Sequence, residues 1–276
     1  MSLKYLFKKK KWLWTFIVLC CIFFYVSCIE PLWIRIREVI VTDGPFSLLF
    51  KTYKIILISD LHVSKIGLRE QFLIKKINEI APDIILLAGD YVAWDGDYDR
   101  AFGLLSRLKA TVGIFGVLGD SDYQNSRMAC QYCHNFSSNK KALSILFLRN
   151  EIIYLPLRNS RIAISGVELF EKDLSEAEKI LQTNAGCPEI IVSHKQIELS
   201  HLPDRPIFVL SGDTHGGQVY IPEKIWHKFF SPTKGKVRRG LVEEGEKKLF
   251  VTSGIGTNRI LIRFLCPPEL VVFKGE

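Results

Sequence analysis

Five short segments of the 276-residue chain place carboxylate or imidazole side chains beside glycine or serine. They are Ser59-Asp60-Leu61-His62, Gly89-Asp90, Gly119-Asp120-Ser121-Asp122, Ser193-His194, and Ser211-Gly212-Asp213-Thr214-His215-Gly216-Gly217-Gln218. Carboxylate oxygen and imidazole nitrogen are the donors that suit Mn²⁺, Mg²⁺, Zn²⁺ or Fe. Adjacent glycines let the backbone turn tightly and come close to a bound group. One D-x-H or G-D after an apolar run is ordinarily a turn or a cap; five such segments in order point to a metal centre. They use His62, His194 and His215, whereas His134, His201 and His227 lack comparable context and read as surface or packing residues.

The elements that must position these residues are short apolar runs ending just before them. Lys54–Ser59, Ile84–Ala88, Gly113–Leu118, Ile190–Ser193 and Ile207–Ser211 read as buried strands. Functional loops of open α/β sheets leave the ends of such strands. Arg69–Ile80, Asp99–Leu108 and Leu174–Leu181 have helical spacing, and Ile152–Pro156, Arg161–Ile164, Lys248–Thr252 and Leu270–Phe273 read as further strands. No repeat or linker interrupts the chain after residue 40, so residues 40–276 are expected to form one α/β domain.

The ordered set D-x-H, G-D, G-N-H-(D/E), H, G-H-x-H is the signature of the calcineurin-like metallophosphoesterases, which this chain resembles over residues 50–276. Thr214-His215-Gly216-Gly217-Gln218 and the tail Ser253–Leu270 (SGIGTNRILIRFLCPPEL) resemble a membrane-anchored bacterial branch. That branch includes the UDP-2,3-diacylglucosamine pyrophosphatases of lipid A synthesis, notably the chlamydial type. The resemblance implies a four-layer α/β/β/α sandwich with two metal ions. Asp60, His62, Asp90 and His215 would hold the first ion, Asp90 would bridge, and Asp120, His194 and Asp213 would complete the second. Asp60, His62, Asp90, His194 and His215 are thus the expected catalytic set, with His194 and His215 acting as ligands rather than general bases.

Three positions depart from the family pattern. Asp120 stands where the family has Asn, Asp213 where it has His, and Ser121 where a His assists the transition state. Both replaced ligands remain oxygen donors able to bind a hard cation. Four carboxylates and fewer imidazoles favour Mn²⁺, with Mg²⁺ second, over Zn²⁺. They also make an activated water less acidic, and loss of the His removes a group worth about 10²–10⁴-fold in rate. Ser121 and Arg263 are candidates for substrate contact; for Arg263 a structural role is the competing reading.

Charge and hydropathy patterning set the surroundings. Lys4, Lys8, Lys9, Lys10 and Lys11 supply five of the net +8, so the excess belongs to a basic tail over residues 1–11 and duplex nucleic acid is not an expected partner. Trp12–Ile29 carries no charge, and 18 residues at about 1.5 Å each reach about 27 Å, close to bilayer thickness. With no A-x-A-like site after it, an uncleaved anchor over residues 12–29 is expected, a cleaved signal peptide or a helix lying in one leaflet being the alternatives. The lysines before the segment would hold the N-terminus in the cytoplasm and place the domain outside. Cys130-x-x-Cys133-His134 has no partner motif, so free cysteines are expected. Lys224–Gly240 mixes Trp226, Phe229 and Phe230 with basic side chains, as either a membrane-facing surface or an ordinary basic loop would.

The resemblance implies cleavage of UDP-2,3-diacylglucosamine to UMP and 2,3-diacylglucosamine 1-phosphate at the bacterial inner membrane. The expected partners are a lipid-linked nucleotide and the bilayer, with no obligate protein. This activity places the domain on the cytoplasmic side, against the lysine bias. An exported phosphomonoesterase or phosphodiesterase acting on envelope phosphates fits that bias better, and a non-catalytic metal-binding descendant is the third reading.

Overall fold

A computed structural model describes residues 3–93, 98–123, 144–168, 174–183, 186–222, 225, 237–258 and 260–276. The Cys130-x-x-Cys133-His134 motif, Asn135–Lys141, His227 and most of Lys224–Gly240 lie outside the described residues.

The apolar runs form strands because both their faces are covered. β1 (Arg35–Val41), β2 (Ile55–Ile58), β3 (Ile84–Ala88), β4 (Gly113–Val117), β5 (Leu146–Phe147) and β12 (Glu269–Gly275) make one six-stranded sheet, in the order β1-β12-β2-β3-β4-β5. The second contains β6 (Glu151–Leu157), β7 (Ser160–Val167), β8 (Glu189–Ser193), β9 (Ile207–Ser211), β10 (Gly240–Glu244) and β11 (Lys247–Val251), in the order β10-β11-β9-β8-β7-β6. In the first sheet β2, β3, β4 and β5 run parallel; in the second β7, β8, β9 and β11 do.

Alternate side chains of each central strand enter different layers, as a pleated strand requires. Ile55, Leu57, Ile84, Leu86, Ile190, Val192, Phe208 and Leu210 share the core between the sheets. Ile56, Ile58, Ile85 and Leu87 point outward onto α3 (Leu68–Ile80) and α4 (Tyr98–Leu105), through Leu73, Ile77, Ala101 and Leu104. On the far side Ile191, Ile207 and Val209 meet Ala177 and Leu181 of α5 (Leu174–Gln182). The architecture is therefore the α/β/β/α sandwich. α3 ends where Ala81 turns left-handed (φ 47°) before Pro82, a residue that cannot continue a helix.

Besides the short strands β5 and β10, two elements were not evident as sequence patterns. β1 pairs in parallel with β12 from Arg35↔Glu269 to Val41↔Gly275, so the domain starts before residue 40. α2 (Gly44–Thr52) closes one end of the inter-sheet core: the rings of Phe46 and Phe50 lie edge-on to Phe208 at 5.5 and 6.1 Å, and Phe50 stacks on Phe273 at 4.9 Å.

The N-terminal helix α1 (Leu3–Phe24) starts inside the lysine-rich stretch and continues through a π-helical turn (Tyr25–Ile29) and a 3₁₀ turn (Glu30–Leu32). Its Lys10–Leu32 portion, with mean hydropathy 2.3, is long and apolar enough to cross a membrane.

Phe208 is fully buried where α2 meets both sheets. Phe208→Ala is expected to cost about 3–5 kcal/mol, measurable as a lowered denaturation midpoint of full-length protein in detergent.

Candidate metal centre

All five polar segments leave the C-terminal ends of parallel strands. Asp60 and His62 follow β2, Asp90 follows β3, Asp120 follows β4, His194 follows β8, and Asp213 and His215 follow β9. Because the two sheets share one core, these ends meet at one edge of the sandwich. The backbone there is forced: Asp60 (φ 52°), His62 (42°), Asp90 (58°), Asp213 (70°) and His215 (50°) are all left-handed, at roughly 1–3 kcal/mol each. Gly89 (φ +85°) lets the β3 and β4 loops touch, since a Cβ there would sit 2.7 Å from the Gly119 nitrogen.

The ligand-type atoms converge. The Nε2 atoms of His62 and His215 lie 3.1 Å apart, and His215 Nε2 is 3.6 Å from Asp60 Oδ1. Asp90 Oδ2 sits 3.4 Å from His62 Nε2 and 3.5 Å from His194 Nε2, between an imidazole of each expected ligand set. Among the described residues, Asp60, His62 and His215 form one cluster able to hold an ion and Asp60, Asp90 and His194 another. Asp213 lies at the rim, its Oδ1 3.8 Å from His194 Nε2. Asp120 is also at the rim, with Oδ2 paired to Lys195 Nζ at 3.0 Å.

Asp60 Oδ2, Asp120 Oδ1 and His194 Nε2 are buried without a hydrogen-bond partner. Buried polar atoms are rarely left so. Converging oxygen and nitrogen donors with spare lone pairs match what divalent cations take, so the residues present fit such ions.

The electrostatics are consistent with that role. Burial lowers the pKa of His62, and burial together with the Arg263 charge lowers that of His215 to about 4, so both imidazoles are neutral near pH 7. Burial opposes a charge on His194, but the surrounding carboxylates Asp90, Asp60 and Asp213 outweigh it and raise its pKa. Burial likewise opposes ionisation of Asp90, yet His194, His62 and the Ser121 N–H hold its carboxyl below the usual range. Burial, with neighbouring carboxylates adding to it, raises Asp60 and Asp213.

The candidate substrate contacts fall out differently. The Ser121 N–H donates to Asp90 Oδ1 at 2.9 Å, and its buried hydroxyl has no partner. Arg263 corrects the sequence expectation. It is fully buried, and its guanidinium donates to the carbonyls of Gly256 (3.1 Å), Cys266 (2.9 Å), Ser253 (2.8 Å) and Gly254 (3.3 Å), which commits it to bracing a loop.

Two residues beyond the expected set shape the centre. The buried Asp122 carboxylate accepts from the backbone N–H groups of Asp90 (2.8 Å), Tyr91 (2.8 Å), Val92 (3.2 Å) and Gly119 (2.9 Å), tying the β3 and β4 loops together. Burial and then Asp90 push its pKa up to about 7, while those N–H groups pull the other way. Its signal in the sequence was its place at the (D/E) position of the third motif. Lys195 offers no signal beyond following His194. His201 is on the surface, near Glu198.

The sequence profile described as calcineurin-like phosphoesterase matches residues 53–234, which takes in every expected ligand. The chain belongs to the calcineurin-like phosphoesterase family. Among its relatives is the uncharacterized metallophosphoesterase YkuE of Bacillus subtilis, 28% identical over 90% of this chain and 88% of that protein. The UDP-2,3-diacylglucosamine pyrophosphatase LpxG of Chlamydia trachomatis is 28% identical over 80% of this chain and 83% of its own. The phosphodiesterase YaeI of Escherichia coli is 28% identical over 91% and 92%. Membership in this family of phosphoesterase hydrolases, together with the clustered donors, implies divalent metals at the centre.

In metal-free protein, NMR of the imidazole nitrogens is expected to show His215 titrating near pH 4 and His62 below 6.5. A lowered pKa in the folded state means that neither ring must shed a proton to accept a metal at pH 7. Asp122→Asn is expected to weaken Mn²⁺ binding by about 10–100-fold by calorimetry, because it acts on the loops that hold Asp90 and Asp120.

Proposed function

We propose that this phosphoesterase is a membrane-anchored pyrophosphohydrolase that cleaves UDP-2,3-diacylglucosamine to UMP and 2,3-diacylglucosamine 1-phosphate at the bacterial inner membrane. Likeness to LpxG over most of both chains carries the reading. The apolar N-terminal helix supports it, since a diacylated substrate resides in the bilayer. The active site then faces the cytoplasm, where UDP-sugars are made. Mn²⁺ is the proposed metal, with Mg²⁺ second, because the donor set is rich in carboxylates.

Bound divalent ions would supply charge neutralisation at the phosphorus and an activated water. Asp60, His62, Asp90 and His215 would hold one ion, and Asp90, Asp120, His194 and Asp213 the other. The four carboxylates cancel the charge of two divalent ions, which alone gives a pyrophosphate little attraction. Lys195 beside Asp120 tips the rim positive and offers an ammonium to the anionic substrate. It also fixes one oxygen of Asp120, leaving Oδ1 for the centre.

YaeI and the lysines before the helix support a second reading, an exported phosphodiesterase or phosphomonoesterase of the same fold. Full-length protein in detergent micelles with Mn²⁺ and UDP-2,3-diacylglucosamine is expected to release UMP, and Asp90→Ala to abolish the release. Turnover of soluble aryl phosphates with none of the lipid nucleotide would overturn the first reading in favour of the second.

A further inference from the structure

The segment Ser253–Cys266 starts against the metal centre and ends against the N-terminal helix. A Cβ on Gly254 would sit 2.7 Å from the Asp60 Cβ, and one on Gly256 2.5 Å from the Asp60 carbonyl oxygen. At the other end the Arg263 N–H donates to the Val26 carbonyl (2.9 Å), and the Cys266 N–H to Oε1 of the buried Glu30 (2.6 Å). Between these ends Ile260, Leu261 and Leu265 are 64, 70 and 56% exposed, with Phe264 at 36%. The Arg263–Val26 bond sets this apolar loop beside the helical segment, where Phe23, Phe24 and Ile29 are also exposed.

We propose that the tip Ile260–Leu265 inserts into the bilayer beside the helix, as a second membrane contact that sets the metal centre at the membrane surface. This rests on the anchored reading above. Three observations carry it. Val26 lies within the 23-residue span Lys10–Leu32. At about 1.5 Å per residue that span is about 34 Å long, so a loop bonded to Val26 sits at the depth of the hydrocarbon boundary.

At Ile260, Arg263 and Phe264 the loop also meets the condition that depth imposes, backbone polar groups bonded within the protein. The Ile260 carbonyl accepts from Gln218 Nε2 (3.1 Å) and from the Ile262 N–H (2.9 Å). Phe264 exchanges bonds with the Gln218 carbonyl (2.9 Å) and the Tyr220 N–H (2.8 Å). The guanidinium of Arg263, the charge nearest the tip among the described residues, is turned inward onto carbonyls.

Third, Trp33 just beyond the span is half exposed, with Arg35 4.4 Å over its ring, the amphipathic pairing that marks a membrane–water interface. Ile260 is four residue steps from Gly256, at most about 14 Å of extended chain. The reacting phosphate of an amphiphile can thus reach the centre while its acyl chains stay in the bilayer.

The test uses full-length protein in nanodiscs of phosphatidylethanolamine and phosphatidylglycerol, with photoreactive benzoylphenylalanine at position 261, 16 or 112. Phe16 reports the helix, and Val112, 47% exposed before β4, reports the water-facing side. Lipid adducts are expected at 16 and 261 and not at 112. An adduct at 16 without one at 261, or a protein adduct at 261, overturns insertion of the loop alone. Absence at 16 overturns the anchor and the proposal with it. Leu261→Asp is then expected to raise KM for a bilayer-embedded pyrophosphate lipid about tenfold, with turnover of a soluble aryl phosphodiester unchanged. An unchanged KM overturns the proposal.

Discussion

Asp60, Asp90, His62, His194 and His215 are held out of water, with Asp60 Oδ2 and His194 Nε2 left without a hydrogen-bond partner, and much of the surrounding structure answers that one constraint. An uncompensated buried charge costs several kcal/mol, so a set this dense needs a compensating partner, and divalent cations are the natural one. The chain meets part of the cost itself. Asp122 gathers four backbone N–H groups, Asp90 is flanked by two imidazoles, and the left-handed residues aim the side chains inward. Strain of this kind persists only where the framework over-determines it. Here the framework is two parallel-strand edges facing across a single apolar core.

The same constraint explains how the departures from the family pattern are tolerated. Asp120 in place of Asn adds a charge, and Lys195 lies 3.0 Å away to meet it. Asp213 in place of His adds another, and it sits at the half-exposed rim, where water screens it. The two substitutions thus sit where their charge can be balanced or solvated. The third departure, Ser121, leaves a buried hydroxyl beside Asp90 and supplies no cation.

The sequence was most legible where burial is two-sided. β2, β3, β4, β8 and β9 read as continuous apolar runs because their side chains enter two cores, and ligand-type residues at their ends were visible in order. β1 was not, because it is an edge strand whose Arg35, Arg37 and Glu38 break the apolar pattern directly after the membrane-length run. α2 is nine residues long and opens with Gly-Pro, too short to show a period. Lys195 acts on a group brought near by folding, which no local pattern encodes, and Asp122 carried only its place in the third motif, which does not reveal the backbone groups it gathers. Arg263 misled for the same reason: an arginine within the C-terminal tail motif suggests phosphate, and only its burial among carbonyls reveals a brace.

The position of β12 has a consequence for how the chain is made. The last strand in sequence order lies between β1 and β2, so residues 35 and 269 are register partners although most of the domain separates them. During synthesis β2 therefore has an unpaired edge until residues 269–275 have emerged, and β1 waits beside the membrane-length helix without a neighbour. Pairings of such sequence separation form slowly, and open strand edges invite association meanwhile. Tethering β1 beside the helix would confine the nascent chain, so early insertion of the helix would protect the unfinished sheet.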